Sequence, residues 1–286
     1  MAVSGGPDSL ALLLLANAAL ADRVAAATVD HGLRPESAGE AAMVARVCTA
    51  RGVRHAVLPV NVAPGNMQAE ARAARYAALA DWAGREGLAA VATAHHADDQ
   101  AETLLMRLNR GSGLGGLAGV RPARPLTDGC LLIRPVLAWR KAELETVCAD
   151  AGVEPVRDPS NESAAFDRVR LRRELAAADW LDVSAIARSA AYLADAEEAV
   201  EAWVEEVWRC SARVEDGFIS LRPEGPRMVR LRLAAKALAV FGGEARGEAL
   251  ARLVKTLEDG GRMNVAGVEA LAKSGRWIFR PESPRR

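Results

Sequence analysis

Cysteine is scarce in this sequence. Four cysteines in 286 residues cannot build a disulfide-rich secreted scaffold. Cys48, Cys130, Cys148 and Cys210 are scattered, with no C-x-x-C spacing, which argues against a thiolate zinc site or an iron–sulfur cluster. Reduced thiols in a cytoplasmic protein are the expectation. Long apolar runs are also missing. Leu10–Ala21 is apolar apart from Asn17 and looks like a signal-peptide core, but it falls short of the ~20 residues that span a bilayer. No Lys or Arg precedes it and Asp8 does, so a buried helix is expected instead of a targeting segment.

No charge of one sign dominates. The chain has 37 basic and 37 acidic residues, and only four of the bases are lysine. The balance hides segregation. Thr103–Ala142 holds seven bases against the single acid Asp128, and Arg168, Arg170, Arg172 and Arg173 form a second cluster. Acids collect at Asp195, Glu197, Glu198, Glu201, Glu205 and Glu206, with no base between them. Such segregation permits a local anion-binding surface on a neutral protein, although most charge runs are solvated faces. With 50% apolar and 26% charged residues, the composition is that of a folded globular chain.

The length predicts one large or two modest domains. The first part alternates apolar β-like runs with helical runs. Strands are expected at Val24–Val29, Ala56–Val60, Leu88–Thr93 and Leu131–Val136. Helices are expected at Ala38–Arg51, Met67–Arg85, Asp98–Arg110 and Arg140–Ala151. This pattern predicts an α/β fold: a Rossmann-like parallel sheet with helices on both faces, binding its ligand at the carboxyl ends of the strands. After about Leu175 the pattern changes. Helices are expected in Val183–Arg213, Met228–Phe241 and Ala245–Glu258, with short strands at Phe218–Leu221 and Trp277–Arg280. The predicted organisation is a catalytic domain at 1–178 and a smaller, mainly helical domain at 179–286.

Ser4-Gly5-Gly6-Pro7-Asp8-Ser9 follows a stub of strand, Met1–Val3, and opens the first helix. Two glycines let the backbone curl round an anion, and the helix start turns N–H groups toward it. The lysine of a G-x-x-x-x-G-K-[ST] loop is absent. Asp8 stands there instead, and a carboxylate beside a polyphosphate implies Mg²⁺ between them. Asp30-His31-Gly32-Leu33-Arg34 ends the next strand, where His31 borders the same pocket or simply caps the strand. His95-His96-Ala97-Asp98-Asp99 lies at a strand-to-helix corner. Its aspartates can cap the helix, hold Mg²⁺ or accept a proton, and the His-His-x-Asp-Asp set also suits a transition metal. Arg72 and Arg75 share one helix face. Gly111 begins a glycine-rich loop after Arg107 and Arg110. It is a candidate helix C′ residue, and the loop a candidate second phosphate contact.

The six-residue loop at 4–9 resembles that of the PP-loop, or N-type ATP pyrophosphatase, superfamily. The ordered set narrows this. The 4–9 loop, Asp30–Arg34, AEARAARY at 69–76, the stretch 94–119, Arg134-Pro135, Asp158-Pro159-Ser160-Asn161 and the arginines at 168–173 together resemble the tRNA(Ile)-lysidine synthetase family. That family uses ATP to adenylate the wobble cytidine of isoleucine tRNA with a CAU anticodon, releasing pyrophosphate. L-lysine then displaces AMP to give lysidine. The resemblance implies a carbon–nitrogen ligase with ATP and Mg²⁺ as cofactors. Isoleucine tRNA and L-lysine are its implied partners, with a homodimer and no membrane association. It assigns Ser4, Gly5, Gly6, Pro7, Asp8, Ser9, His31, His95 and Gly111 to ATP, and Asp8 and Asp99 to Mg²⁺. Asp8, Asp98, Asp99, Arg72, Arg75 and Arg172 become the catalytic candidates. Family members often carry Arg-Asn where this chain has Arg168-Val169, which favours Arg172 over Arg168.

Three residues before the loop are few for a buried central strand, so a longer natural N-terminus is an expectation. Competing readings are a PP-loop thiolase, which needs clustered cysteines, an amidotransferase-type member, which needs an ammonia source, and a non-catalytic nucleotide- or RNA-binding relative. The C-terminal domain is expected to touch tRNA through its basic residues.

Overall fold

The computed structural model describes residues 1–32, 37–61, 67–156 and 167–282. Leu33, Arg34 and the stretch Asp158-Pro159-Ser160-Asn161, singled out in the sequence, lie outside the described residues. The chain forms two compact units, Met1–Ala194 and Asp195–Arg286.

The first unit is built on parallel strands. β1 (Ala25–Asp30) pairs in parallel with β2 (Arg54–Pro59), and β3 (Ala90–Ala92) pairs in parallel with β5 (Cys130–Ile133). β4 (Ala123–Thr127) adds antiparallel to β5 and forms the edge. Met1–Val3 joins the two groups. Val3 N–H donates to Ala27 O, and Ala2 N–H donates to Ala92 O, each at 2.9 Å. The resulting order is β2, β1, Met1–Val3, β3, β5, β4. Three neighbouring carboxyl ends therefore lead into Ser4, His31 and Thr93.

Both faces of this sheet are covered, as alternating side chains require. Ala26 and Ala92 face α1 (Pro7–Leu20), α2 (Ser37–Ala50) and α6 (Lys141–Asp150), packing with Leu10, Leu12, Val44 and Leu144. Ala25, Ala27 and Val91 face α3 (Met67–Arg85), packing with Leu79 and Trp82. Every residue from Leu10 to Leu14 is buried, so α1 is apolar all round because it is a core helix. Among the described residues no helix is long and apolar enough to cross a membrane.

α4 (Ala97–Leu108) follows β3, and a glycine-rich loop containing the single turn α5 (Leu114–Leu117) follows α4. The arginine cluster forms α7 (Asp167–Ala177), and α8 (Val183–Ser211) runs on from it. The expected strands and helices of this unit are present, with ends shifted by a few residues. The antiparallel β4 was not foreseen, because its Arg124 and Pro125 break any apolar pattern.

The second unit differs from expectation in its sheet. Five antiparallel strands run in the order β6 (Arg213–Glu215), β7 (Phe218–Leu221), β10 (Arg276–Pro281), β9 (Val268–Lys273), β8 (Arg262–Val265). Only β7 and β10 were expected. β6 and β8 are short and polar, and alanine and lysine in β9 carry little strand signal. α9 (Arg227–Val240) and α10 (Gly247–Glu258) share a core with the sheet through Leu233, Leu238, Leu253, Ile219 and Phe279. The acidic run on α8 is satisfied within this unit. Glu197 pairs with Arg232 at 2.6 Å, Glu201 also pairs with Arg232, and Glu205 pairs with Lys236.

Candidate active site

The three strand ends open on a cavity of about 470 Å³, a size suited to a nucleotide-scale ligand. Its wall includes Ser4, Gly6, Asp8 and Ser9 from the loop, and His31 after β1. Thr28 of β1, Ser37 and Glu40 of α2, Arg72 and Arg75 of α3, Thr93, His95 and Asp99 beside β3, and Arg168 of α7 complete the charged and polar lining.

The loop is braced from inside. Ser9 Oγ accepts the Ser4 N–H at 3.1 Å and donates to Gly6 O at 3.0 Å. Gly6 sits at the N-cap of α1 with no side chain closing the helix start, so the first N–H groups remain available to an anion. Gly5 and Pro7, expected among the ATP contacts, do not line the cavity. Gly5 has φ +88° and faces inward, where an added Cβ would meet Met43 at 3.2 Å. Pro7 occupies the first helical turn, where its missing N–H costs nothing, and its carbonyl accepts the Cys148 thiol at 3.3 Å. Both shape the loop.

The two adjacent histidines point to different surroundings. His95 lines the cavity, with Nδ1 3.0 Å from Thr93 Oγ1. Burial, then the charges of Arg134, Arg72 and Arg75, outweigh the pull of Asp99 and bring its pKa down to about 4. It is a neutral imidazole at working pH. His96 is buried among three carboxylates. Its Nε2 lies 3.6 Å from Asp8 Oδ2 and 3.5 Å from Asp99 Oδ2, and its Nδ1 lies 3.5 Å from Asp98 Oδ2. Burial opposes the charge, but Asp8, Asp98 and Asp99 outweigh it and raise the pKa to about 10. Both ring nitrogens of His96 face carboxylates, whereas His95 turns Nδ1 to Thr93, so the two rings share no partner. Among the described residues no group of three or more His, Cys, Asp or Glu is arranged to hold a metal ion.

Asp98 is turned away from the cavity. Arg140 Nε and Nη2 approach its carboxylate at 3.1–3.3 Å, and the Lys141 N–H donates to it at 2.8 Å. Burial would raise its pKa, but His96, Arg140 and this N–H hold it well below the usual carboxylate range. Asp98 therefore fastens α4 to α6, and Asp99 alone of the pair reaches the cavity. Asp99 also accepts the His96 N–H at 3.2 Å, which ties the corner.

Arg172 is likewise engaged elsewhere. It binds Glu102, a carboxylate 1% exposed, through two contacts at 2.7 and 3.1 Å. Arg168 binds the same carboxylate at 2.9 Å and lines the cavity, whereas Arg172 does not line it. Gly111 also stands apart from the cavity wall. It takes φ +66°, and its N–H returns to Leu108 O at the end of α4. The loop after it is pinned to α4. Gln100 exchanges two hydrogen bonds with Val120, at 2.6 and 2.9 Å, and Arg107 donates to Gly116 O at 2.6 Å.

Ser37, Glu40 and Glu102 were not among the expected site residues, and His96 was expected only as a member of the His-His-x-Asp-Asp set. His96 and Glu102 lie within the motif at 94–119, but their roles depend on which way α4 rotates, and one sequence carries no such signal. None of the cysteines lines the cavity. Cys48, Cys130 and Cys148 are buried and Cys210 is exposed, all as free thiols.

The donor set can be tested against Mg²⁺. Asp8 Oδ1 is buried without a hydrogen-bond partner, and Asp8 and Asp99 both face the cavity beside an open helix start. Two hard carboxylate donors next to a phosphate cradle suit a cation that takes its other ligands from phosphate and water. The residues present fit the ion.

This arrangement is that of an ATP-cleaving α/β enzyme without a P-loop lysine. The PP-loop domain family matches residues 1–178, and the chain belongs to that family. Within it, the chain is 50% identical over 284 residues to the tRNA(Ile)-lysidine synthase of Novosphingobium aromaticivorans, covering 98% of this chain and 87% of the relative. It is 41% identical over 296 residues to that of Zymomonas mobilis, covering 100% of this chain and 89% of the relative. The chain is thus a member of the tRNA(Ile)-lysidine synthase family. Among solved structures, the U34-tRNA thiolase NcsA of Methanococcus maripaludis, with its 4Fe–4S cluster, matches with a TM-score of 0.58 at 17% identity. That match covers 68% of this chain and 70% of the thiolase, and it shows a shared fold.

Proposed function

We infer that the protein catalyses ATP-dependent lysidine formation on isoleucine tRNA. It is a ligase that makes a carbon–nitrogen bond. Membership of the synthase family supports this reading. The observation that carries it is the meeting of the loop at 4–9, His31, Arg72, Arg75, His95 and Asp99 in one cavity at the strand ends.

In the first half-reaction the C2 oxygen of the wobble cytidine attacks the α-phosphorus of ATP, and pyrophosphate leaves. Ser4, Gly6, Ser9 and the open start of α1 hold the departing pyrophosphate. Arg72 and Arg75 offset the charge that builds on the transferring phosphate. Mg²⁺ held by Asp8 and Asp99 would neutralise phosphate charge when bound. Neutral His95 and His31 offer hydrogen bonds without adding charge. In the second half-reaction the ε-amine of L-lysine attacks C2, and AMP leaves. Asp99 would attract the lysine ammonium and accept its proton. Arg168 supplies positive charge on the α7 side, in the role first given to Arg172. The absence of cysteine from the cavity disfavours the thiolase alternative. A cytoplasmic location and the family's homodimer belong to the same reading.

The test is lysine incorporation. Purified protein, ATP, Mg²⁺ and radiolabelled L-lysine are combined with an isoleucine tRNA transcript carrying CAU, with methionine tRNA as control. Label in the isoleucine tRNA alone is the expected result. Pyrophosphate release without label would retain adenylation and overturn the nucleophile. Absence of both would point to a non-catalytic relative.

A further inference from the structure

Beside the cavity lies a cluster of arginines that pair with no carboxylate among the described residues. Tyr76 of α3 is its centre. The guanidinium carbons of Arg72, Arg75 and Arg124 lie 5.0, 5.3 and 5.3 Å from its ring centroid, within cation–π range. Arg134, at the end of β5, is only 5% exposed. One of its terminal nitrogens donates to Arg121 O, and its Nε is buried without a partner. Arg121 Nη1 is also buried without a partner, and the buried Tyr76 hydroxyl sits toward Arg134. Burial, then the positive charges of Arg124 and Arg72, pull the Arg134 pKa down, with Tyr76 offsetting only part of this. Among the described residues, none of Arg72, Arg75, Arg121, Arg124 and Arg134 forms an ion pair with a carboxylate.

Buried guanidinium without a counter-ion is costly, and gathering several adds mutual repulsion. Among the described residues, the part-buried Arg140, Arg172, Arg230 and Arg232 are each paired with a carboxylate. Here the compensating charge is missing and the donors are already positioned. That is the signature of a site whose anion arrives with a ligand. The cluster continues the cavity, since Arg72 and Arg75 line it. It extends outward to Arg124, whose side chain is exposed on the edge strand β4.

We propose that Arg124, beside Tyr76, together with Arg134 and Arg121, which are joined through the Arg121 carbonyl, binds a phosphate of the RNA backbone next to the nucleotide that enters the cavity. The proposal rests on the reading of the protein as an RNA-modifying enzyme and adds where the backbone is gripped. RNA is favoured over the polyphosphate of ATP because that tail already has the loop at 4–9 and the start of α1. A nucleotide inserted into the cavity brings flanking phosphodiesters to its rim, and fork-shaped guanidiniums suit them. The subsite accounts for three of the seven bases of Thr103–Ala142.

The test is RNA binding over a salt series from about 50 to 200 mM. Arg124→Gln is the first variant, because the side chain is exposed and its loss does not threaten folding. Affinity for the isoleucine tRNA transcript is expected to fall about three- to tenfold, and the log–log salt slope to drop by about 0.7, one phosphate contact. Arg124→Lys should restore most of the slope. Arg121→Gln should act in the same direction. An unchanged slope in both glutamine variants would overturn the proposal. So would a loss of ATP affinity, measured without RNA, in place of the loss of RNA affinity, which would assign the cluster to polyphosphate. Wild-type lysine incorporation is measured in parallel. Label in wild type with unchanged slopes in the variants refutes the subsite alone. Reduced slopes without label in wild type uphold the subsite and refute the lysine chemistry.

Discussion

Arg172 grips Glu102 with both ends of its fork, Nε to Oε1 at 2.7 Å and Nη2 to Oε2 at 3.1 Å, and the carboxylate is 1% exposed. Arg168 closes on the same carboxylate. One buried acid on α4 therefore docks α7 and steadies the arginine that faces the cavity. Glu102→Gln is expected to lower unfolding stability by about 2–3 kcal/mol, since it removes charged hydrogen bonds from a dry site. Denaturant unfolding checks the magnitude. A loss under 0.5 kcal/mol, the range of ordinary surface changes, would show that the pair is solvated and contributes little.

Asp8→Asn should abolish catalysis and spare RNA binding. Asp8 carries the buried, unpartnered oxygen at the phosphate loop. The expected loss of pyrophosphate release is at least about 100-fold, with tRNA affinity held within about twofold. Equal pyrophosphate release by the variant and wild type would remove Asp8 from the mechanism.

His96 should make stability fall at high pH. Its pKa is raised to about 10 against an ordinary value near 6.5, so the protonated form is favoured by folding. The sign follows directly. Its contribution is fully present below about pH 6.5 and is lost as pH rises through about 10. The stability gap between wild type and His96→Gln, measured in chelator, should therefore narrow over that window. A gap independent of pH would show that the ring is neutral in the fold.

Two glycines predict opposite outcomes. Gly119 takes φ +66°, and an added Cβ would lie 2.6 Å from Gln100 Oε1. Gly119→Ala should cost about 2–4 kcal/mol, combining left-handed strain with the loss of the Gln100–Val120 clamp. Gly84, near the end of α3, has open space around it. Gly84→Ala should raise stability by about 0.5 kcal/mol. Thermal unfolding of the two variants separates them by sign.

Much of this molecule is legible without coordinates. The period-2 and period-3.6 patterns place β1, α3, α4 and α9 within a few residues of where they lie. The loop at 4–9 can be read as an anion cradle because glycine pairs and a helix start have few other uses together. The edge strands β4, β6 and β8 were illegible because they have no apolar alternation to detect, and β9 because its alanines and lysine carry little strand signal. The same limit hid the reason for the acidic run on α8, whose partners Arg232 and Lys236 stand about thirty residues away in sequence.

Sequence alone determined the chemistry available at the strand ends: a phosphate loop, a histidine–aspartate corner and a set of arginines. It could do so because strand ends in a parallel sheet converge on one edge whatever the side-chain details. Tertiary structure alone decided which member of each pair does what. His95 faces the cavity, whereas His96 lies beneath it. Asp99 reaches the cavity, whereas Asp98 is held by Arg140. Arg168 lines the wall, whereas Arg172 is spent on Glu102. Neighbouring residues on a helix point about 100° apart, so the rotation of α4 separates Asp98 from Asp99, whereas Arg168 and Arg172 lie one turn apart on the same face of α7 and differ in their position along it. That rotation is set by packing among residues distant in the chain.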